Sequence, residues 1–263
     1  MSNRLSIITF ENFTYESLVE LAREVGFDGV HSGSWSAESA EGLFAYKKMT
    51  AAAGLDFDSA HSTIAGCAGI WVEGEQGDRY TEKLLGNIDN VAAVGVKNLV
   101  VHVQLPKHSE PSFELGVKRL ELAVERAAQK QVRIAFENIN GAELLFRTLD
   151  HFDMEHVGFC YDVGHAHCYT PDARYLDRVG DRLFCTHIHD NDGASDLHLL
   201  PFDSAVDFDR LARELASCGY SGDLTLEVNY AKYADRLSKR EYMQRAFDSV
   251  MKIQTLIKKY GGE

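Results

Sequence analysis

Basic residues are scarce relative to acidic ones in this sequence. Among its 263 residues, Lys and Arg total 27 against 40 Asp and Glu, which gives a formal net charge of −13. Because neutralising a phosphate backbone requires clustered Lys and Arg, this balance disfavours a nucleic-acid partner. It does not exclude a phosphodiester substrate, since bound metal ions can supply positive charge locally.

Long apolar runs and paired cysteine motifs are also lacking. No segment approaches the roughly 18 apolar residues of a membrane-spanning helix, and residues 1–4 lead directly into a short strand-like run. The five cysteines are odd in number and show no C-x-x-C spacing, which argues against a disulfide framework and a structural zinc ribbon. We therefore expect a soluble, cytoplasmic protein with reduced thiols and no membrane partner.

Linkers and low-complexity segments are absent as well, so no composition change marks a domain boundary. One domain over residues 1–263 has about the size of a single α/β barrel, roughly 250 residues. The sequence is therefore interpreted as one domain.

Short apolar runs alternate with longer stretches in which apolar residues recur at three- and four-residue spacing. The predicted strands are 5–10, 28–32, 56–61, 98–103, 132–138, 157–162, 183–189 and 223–228. The predicted helices are 15–25, 38–53, 79–94, 113–130, 141–152, 173–180, 207–217 and 239–259. This alternation predicts a (β/α)8 TIM barrel. A doubly wound open sheet is the main alternative, but residues 10–14 do not form the glycine-rich phosphate turn it requires.

Residues of the types that bind metals end six successive predicted strands. In chain order they are His61, His102, Glu137, Asp162, His187 and Glu227. In a TIM barrel these strand ends converge on one face, where the chemistry of such folds is located. The sequence therefore predicts one shared polar site rather than six separate ones.

A metal site is the physical interpretation of this pattern. A carboxylate such as Glu137, embedded in an apolar strand, must find a partner or remain desolvated at high cost. The group Glu137, Asp162, His187 and Glu227 suits Mn²⁺, Mg²⁺ or Co²⁺ and tolerates Zn²⁺. By contrast, lone histidines are usually hydrogen-bonded core residues, and we interpret His31, His151, His156 and His167 in that way. His189 is left undecided.

Five short motifs resemble the xylose isomerase-like TIM barrel superfamily, and the likeness extends over nearly the whole chain. They are FEN (136–138), YDVGHAH (161–167), HIHDNDG (187–193), SDLHLLP (195–201) and LEV (226–228). This superfamily contains sugar isomerases and epimerases, and also the endonuclease IV nucleases (AP endonuclease family 2), which act at abasic sites.

The resemblance to the sugar branch implies one divalent metal ion (Mn, Mg, Co or Zn) held by Glu137, Asp162, His187 and Glu227. It also implies that Glu143 and His165 contact the substrate. Ketose 3-epimerases of this branch carry an Arg about six residues after the ligand histidine, where this chain has Gly193. The resemblance therefore does not favour a close ketose 3-epimerase.

The resemblance to the nuclease branch implies three zinc ions held by nine ligands. The matching residues are His61, His102, Glu137, Asp162, His165, His187, Asp196, His198 and Glu227. Nucleotide flipping also requires wedge side chains and cations that bind the DNA backbone. The loops after the second and third predicted strands have neither Arg nor Lys, and only Trp35 and Ile64 could act as wedges.

These observations favour a metal-dependent isomerase or epimerase of a small sugar, keto sugar or inositol-type polyol. We expect an enediolate intermediate, with Glu137 and Glu227 as proton-transferring bases and with Glu143, His102 and His165 binding the substrate. Two alternatives are retained. One is a zinc phosphodiesterase acting at abasic DNA, and the other is a lyase that uses the same enolate chemistry, similar to a dehydroshikimate dehydratase.

Three smaller expectations complete the sequence-based account. Trp35, Trp71 and Phe202 are weak candidates for apolar walls of the substrate pocket. The apolar residues of the last predicted helix suit packing on the barrel, but the sequence leaves a homo-oligomer open. No Arg or Lys pair lies at the strand ends, which favours an unphosphorylated substrate.

Overall fold

The structure is a computed structural model, and it describes residues 3–10, 12–33 and 37–262. Within these residues, eight strands alternate with helices. The strands are β1 (Leu5–Phe10), β2 (Gly29–Val30), β3 (Ser59–His61), β4 (Asn98–Val103), β5 (Arg133–Asn138), β6 (Val157–Asp162), β7 (Leu183–His187) and β8 (Leu224–Asn229).

Nine α-helices occur in the described part of the chain. They are α1 (Tyr15–Val25), α2 (Ala40–Ala53), α3 (Glu75–Val94), α4 (Phe113–Lys130), α5 (Ala142–His151), α6 (Val163–Tyr169), α7 (Tyr175–Val179), α8 (Phe208–Ser217) and α9 (Lys239–Gly261). Short 3-10 turns at Cys67–Trp71, Gly180–Arg182 and Tyr230–Lys232 complete the connections.

The parallel strands close into a barrel. Strand β1 lies between β2 and β8, and β3 to β7 pair in sequence order. Two bridges, Gly29 with Asp56 and Ser32 with Ala60, join the segments around β2 and β3, and a third, Ile188 with Leu226, joins the end of β7 to β8. The predicted (β/α)8 barrel is confirmed.

Strand and helix positions agree closely with the sequence pattern, with two differences. The ladders of β2 and β3 are shorter than the predicted 28–32 and 56–61, because much of that pairing consists of isolated bridges. Helix α6 was not predicted. It begins directly at the end of β6, where the Asp162 side chain accepts a hydrogen bond of 2.6 Å from the backbone N–H of His165 and caps the helix.

The main apolar core lies between the barrel and its helices. A second, small cluster lies inside the barrel and contains Val100, Ala135, Cys160 and Cys185 from four adjacent strands. These positions alternate along each strand with residues that face the helices, as the two-residue period of a strand requires. These four small side chains therefore lie inside the barrel below the strand ends that carry the polar residues.

The terminal helix α9 packs on the barrel with its apolar side. Val250 and Ile253 are fully buried on this side, and the helix contacts both α1 and α8. No helix within the described part of the chain is long and apolar enough to cross a membrane.

Candidate metal centre

A central donor group lies where four adjacent strands end. It consists of Glu137, Asp162, His187 and Glu227, whose ligand atoms all lie within 4.8 Å of one another. The parallel register places Asp162 of β6 beside His187 of β7. His187 Nδ1 lies 2.9 Å from Glu137 Oε1 and 3.1 Å from Glu227 Oε2. We call these four residues the central group.

A second donor group shares a carboxylate with the central group. It consists of His61, His102 and Glu137. The Nε2 atoms of His61 and His102 lie 3.0 Å and 3.2 Å from Glu137 Oε2, while Glu137 Oε1 faces the central group. Glu137 therefore has one oxygen on each side, as a carboxylate that bridges two ions would.

A third donor group contains Asp196 and His198 from the long connection between β7 and α8. With them lie His165 and His189. Asp196 Oδ2 is 3.2 Å from His165 Nε2 and 3.3 Å from His198 Nε2. The structure therefore brings together the six strand-end residues and the three further ligands that the sequence predicted.

Backbone carbonyls set the orientation of three of these imidazoles. His61 Nδ1 is 2.7 Å from the Ser62 carbonyl oxygen, His165 Nδ1 is 3.1 Å from that of Asn138, and His198 Nδ1 is 2.9 Å from that of Glu227. A carbonyl only accepts, so each Nδ1–H donates, and each Nε2 faces a carboxylate oxygen. This is the arrangement by which second-shell groups orient histidines toward a metal ion. Each Nε2 therefore faces its carboxylate in the orientation that a shared cation would require.

Several buried polar atoms are better placed to bind a cation than to form hydrogen bonds with one another. Asp162 Oδ2 and both ring nitrogens of His189 are buried and have no hydrogen-bond partner among the described residues. His189 Nε2 lies 3.1 Å from Asp162 Oδ1, but the contact lacks hydrogen-bond alignment. Burying such groups without partners is costly, and the oxygen and imidazole donors suit a divalent ion.

His189 is the residue that the sequence left undecided. Its ring is fully buried and stacks on His198 with centroids 4.0 Å apart. The ring occupies space beside Gly164, where a Cβ would come within 1.9 Å of His189 Cε1. The signal in the sequence was its position two residues after His187, which places both side chains on the same side of an extended chain.

Three carboxylates of the donor groups are held in their ionised form. Burial opposes ionisation of Glu137, but its electrostatic and hydrogen-bond interactions with His187 and His102 outweigh burial and hold its pKa well below the ordinary value. Burial likewise opposes ionisation of Glu227 and Asp196, yet the neighbouring histidines lower both pKa values. All three carboxylates are therefore charged at neutral pH.

The imidazoles respond to the same charges. Burial disfavours protonation of His165, but Asp162, Asp196 and Glu137 raise its pKa to about 10. Burial also disfavours protonation of His198, but Asp196 outweighs burial and raises the pKa of His198 to about 9. In the ion-free protein, protons therefore occupy positions that a cation would take, so metal binding and protonation compete.

Glu143 does not join the donor groups. It lies on the first turn of α5 with 74% of its side chain exposed, and its Oε2 is 3.6 Å from Arg178 Nη1. Among the candidate apolar walls, Trp71 is buried and stacked on Phe113, so it is a core residue. Phe202 is partly exposed, and Trp35 lies outside the described residues.

Three of the histidines interpreted as ordinary structural residues have ordinary partners. His31 Nε2 lies 3.0 Å from Asp223, His156 Nε2 lies 3.3 Å from the Val124 carbonyl oxygen, and His151 Nε2 lies 3.5 Å from Glu121. These three interpretations are consistent with the structure.

Relatives are recognisable by sequence. The chain is 33% identical over 190 residues, 67% of its length, to the uncharacterised protein y4fM of Sinorhizobium fredii. It is 31% identical over 129 residues, 41% of its length, to the fructoselysine 3-epimerase of Escherichia coli O157:H7. The matched regions span 60% and 46% of those relatives' own lengths.

Solved structures of similar fold cover almost the entire chain. The IolI protein with a bound zinc atom superimposes with a TM-score of 0.80 at 18% identity, covering 99% of both chains. A D-psicose 3-epimerase from Clostridium cellulolyticum H10 with D-tagatose gives 0.79 at 12% identity, covering 98% of this chain and 99% of the other. A family model described as a xylose isomerase-like TIM barrel matches residues 19–252, and the chain belongs to that family.

Proposed function

We propose that this protein is a metal-dependent isomerase or epimerase of a small sugar, keto sugar or inositol-type polyol. One observation carries the proposal. Glu137 and Glu227 are buried carboxylates from different strands that approach the same imidazole nitrogen of His187, at 2.9 Å and 3.1 Å. Two bases beside one cation site can remove and return the proton at a carbon next to a carbonyl. The fructoselysine 3-epimerase among the relatives supports the same chemical class.

The central group holds the metal ion in this proposal. A bound Mn²⁺, Mg²⁺, Co²⁺ or Zn²⁺ supplies Lewis-acid polarisation of the substrate carbonyl and an adjacent hydroxyl, which acidifies the carbon-bound proton. Asp162 and His187 serve only to hold and orient it. Glu137 and Glu227 serve as both ligands and bases.

The two glutamates carry out the proton transfer. Their lowered pKa values keep both carboxylates ionised, so either can accept the proton from the substrate carbon. One removes the proton and the other returns it, from opposite sides of the bound substrate.

Two histidines are assigned to substrate oxygens. Burial lowers the pKa of His102, which therefore remains a neutral imidazole able to donate to or accept from a hydroxyl. His165 contacts a substrate hydroxyl or, with Asp196 and His198, holds a further cation. Glu143 is exposed and can contribute only at the rim of the site.

Deuterium exchange with solvent tests the proposal. Glu227→Gln removes one base without changing side-chain size, and we expect exchange into a ketose or keto-inositol substrate to fall by about 10²–10⁴-fold. Glu121→Gln, an exposed substitution on α4, is the matched control. Undiminished exchange in a metal-loaded Glu227→Gln protein would exclude the assignment.

Abasic-site phosphodiester hydrolysis is the second candidate, and one observation favours it. All nine residues of the nuclease ligand pattern fall within the three donor groups. This candidate requires about three zinc ions per chain and cleavage of an abasic duplex. Elemental analysis that finds one ion per chain would exclude it, whereas three ions with duplex cleavage would replace the isomerase proposal. A lyase of the same enolate chemistry is distinguished by its dehydrated product.

A further inference from the structure

Two thiols lie side by side inside the barrel, below the metal centre. Cys160 of β6 and Cys185 of β7 are partners in the parallel register and belong to the same interior cluster. Both side chains are buried inside the barrel. Neighbouring strands lie about 4.8 Å apart, and this separation falls within the range of Cα distances that a disulfide spans.

The thiol pair is directly connected to the central group. Two residues further along the same strands, Asp162 and His187 form the next register pair on the same face. Cys160 Sγ also lies within 4.8 Å of the ligand atoms of Glu137 and His187. A covalent change at the thiols therefore acts on two strands that each carry a central ligand.

A cavity gives small molecules access to one of the two sulfurs. It has a volume of about 210 Å³, opens beside the exposed residues Lys97 and Arg133 at the amino-terminal end of the barrel, and is lined further inside by Cys185 and His187. Cys185 retains 6% exposure, whereas Cys160 is fully buried. Cys185 is therefore the sulfur that an entering reagent meets first.

We propose that Cys160 and Cys185 form a site of oxidative modification, in which a hydroperoxide entering from the amino-terminal end converts the two thiols into a disulfide. The Cys185 sulfur attacks one peroxide oxygen and the O–O bond breaks, which gives a sulfenic acid and one water when hydrogen peroxide is the oxidant, or one alcohol when it is an organic hydroperoxide. The Cys160 sulfur then displaces the sulfenic oxygen, which leaves as water. Two electrons and two protons pass from the thiols to the peroxide.

The disulfide changes the support beneath the central group. An S–S bond of about 2.05 Å replaces a non-covalent contact and fixes β6 against β7 in a new spacing. Altered support of metal ligands typically weakens metal binding by about 10–100-fold. We expect the oxidised protein to bind the central ion at least about tenfold more weakly, and reduction by dithiothreitol to restore binding. This inference does not depend on which reaction the centre catalyses.

Peptide mapping of the full chain tests the inference. The reduced protein is treated with hydrogen peroxide, alkylated, and digested without reduction. We expect a cross-linked peptide pair containing Cys160 and Cys185, with a loss of two hydrogens, and the metal affinity of the same sample to fall. In Cys160→Ser, the cross-link disappears and dimedone labels Cys185 as the sulfenic acid.

Two controls keep the result interpretable. Cys218 lies at the C-terminal end of α8, where its thiol donates to the Leu215 carbonyl oxygen, so Cys218→Ser should form the cross-link as the parent does. Cys185→Ala removes the cross-link, and an unchanged melting temperature shows that this loss does not reflect misfolding. Oxidation confined to Cys67, Cys168 or Cys218, with Cys160 and Cys185 still alkylated, would overturn the inference. A cross-link without any change in metal affinity would overturn the second part of the inference, that the disulfide weakens metal binding.

Discussion

The two ends of the barrel both concentrate charged residues, but they balance charge in opposite ways. At the amino-terminal end, Arg4 contacts Asp223 at 2.7 Å and Asp58 at 3.1 Å, and Lys97 contacts Asp58 at 3.1 Å. At the carboxyl-terminal end, Glu137, Asp162, Asp196 and Glu227 form ion pairs within the described residues only with histidines.

This difference separates a structural network from the candidate metal site. Permanent cations neutralise the amino-terminal carboxylates, so that end is complete within the chain. Histidines are neutral or protonated depending on pH, so the carboxyl-terminal cluster is complete only when protons or metal ions are added. The predictions below change one end at a time.

The largest effect is expected from Glu137→Gln. Glu137 faces two donor groups at once, and removing its charge leaves the surrounding imidazoles without their shared carboxylate. By analogy with the 3–5 kcal/mol cost of breaking a buried pair, we expect metal affinity to fall a few hundred-fold or more. Isothermal titration with Zn²⁺ and with Mn²⁺ measures this, and an affinity within threefold of the parent would contradict the shared-ligand role.

The matched change at the other end is Asp223→Ala. Asp223 accepts hydrogen bonds from Ser6 and Arg4 and lies 3.0 Å from His31 Nε2, so its loss leaves several groups without their partner. We expect a loss of about 3 kcal/mol in the free energy of unfolding, with metal stoichiometry unchanged. Chemical denaturation and elemental analysis of one sample test both parts. A loss of metal with an unchanged free energy of unfolding would contradict the structural role of the amino-terminal network.

A pH effect on the ion-free protein should be smaller and confined to one end. The pKa values of His165 and His198 are raised to about 10 and about 9, so their protonation stabilises the fold fully below the ordinary value of 6.5. That contribution is lost as the pH rises through 9 to 10. The lowered pKa of Asp223 matters only in acid, below its ordinary value of 3.8.

Melting temperatures of chelator-treated protein measure this effect. We expect them to fall steadily from pH 7 to pH 10, and the decline up to pH 9 to be suppressed by bound metal, because a cation replaces the protons. A flat profile in the ion-free protein would show that these imidazoles are not stabilised by protonation.

The smallest effect is expected from Asp56→Asn. Asp56 pairs with Arg4, but its side chain is 50% exposed, and exposed ion pairs contribute only about 0–1 kcal/mol. Denaturation should therefore show a change below about 1 kcal/mol and no change in metal content. A decrease in the free energy of unfolding as large as that of Asp223→Ala would mean that the network depends on its exposed ion pairs.

The sequence predicted the fold, and it predicted which residues lie together at the strand ends, because both follow from local patterns. Strand β5 could be located from its apolar run, and the barrel topology then placed Glu137 beside the other strand ends. The amino-terminal network was not predicted, because Arg4 and Asp223 are separated by 219 residues and meet only when the barrel closes. Helix α6 was missed because its start depends on one side-chain cap, that of Asp162.

The sequence could not show which individual side chains lie close enough to contact one another. His189 was left undecided because a histidine at the end of a strand has no local feature that distinguishes a ligand from a core residue. Glu143 was assigned from the resemblance alone, and its position on an exposed helical turn depends on how α5 leaves the barrel.

Anomalous diffraction from crystals soaked with zinc tests the central claim most directly. We expect a strong zinc-edge peak surrounded by Glu137, Asp162, His187 and Glu227, at about 2.0–2.2 Å from their ligand atoms. Zinc bound only elsewhere on the protein, with these four side chains still in contact with one another, would contradict it.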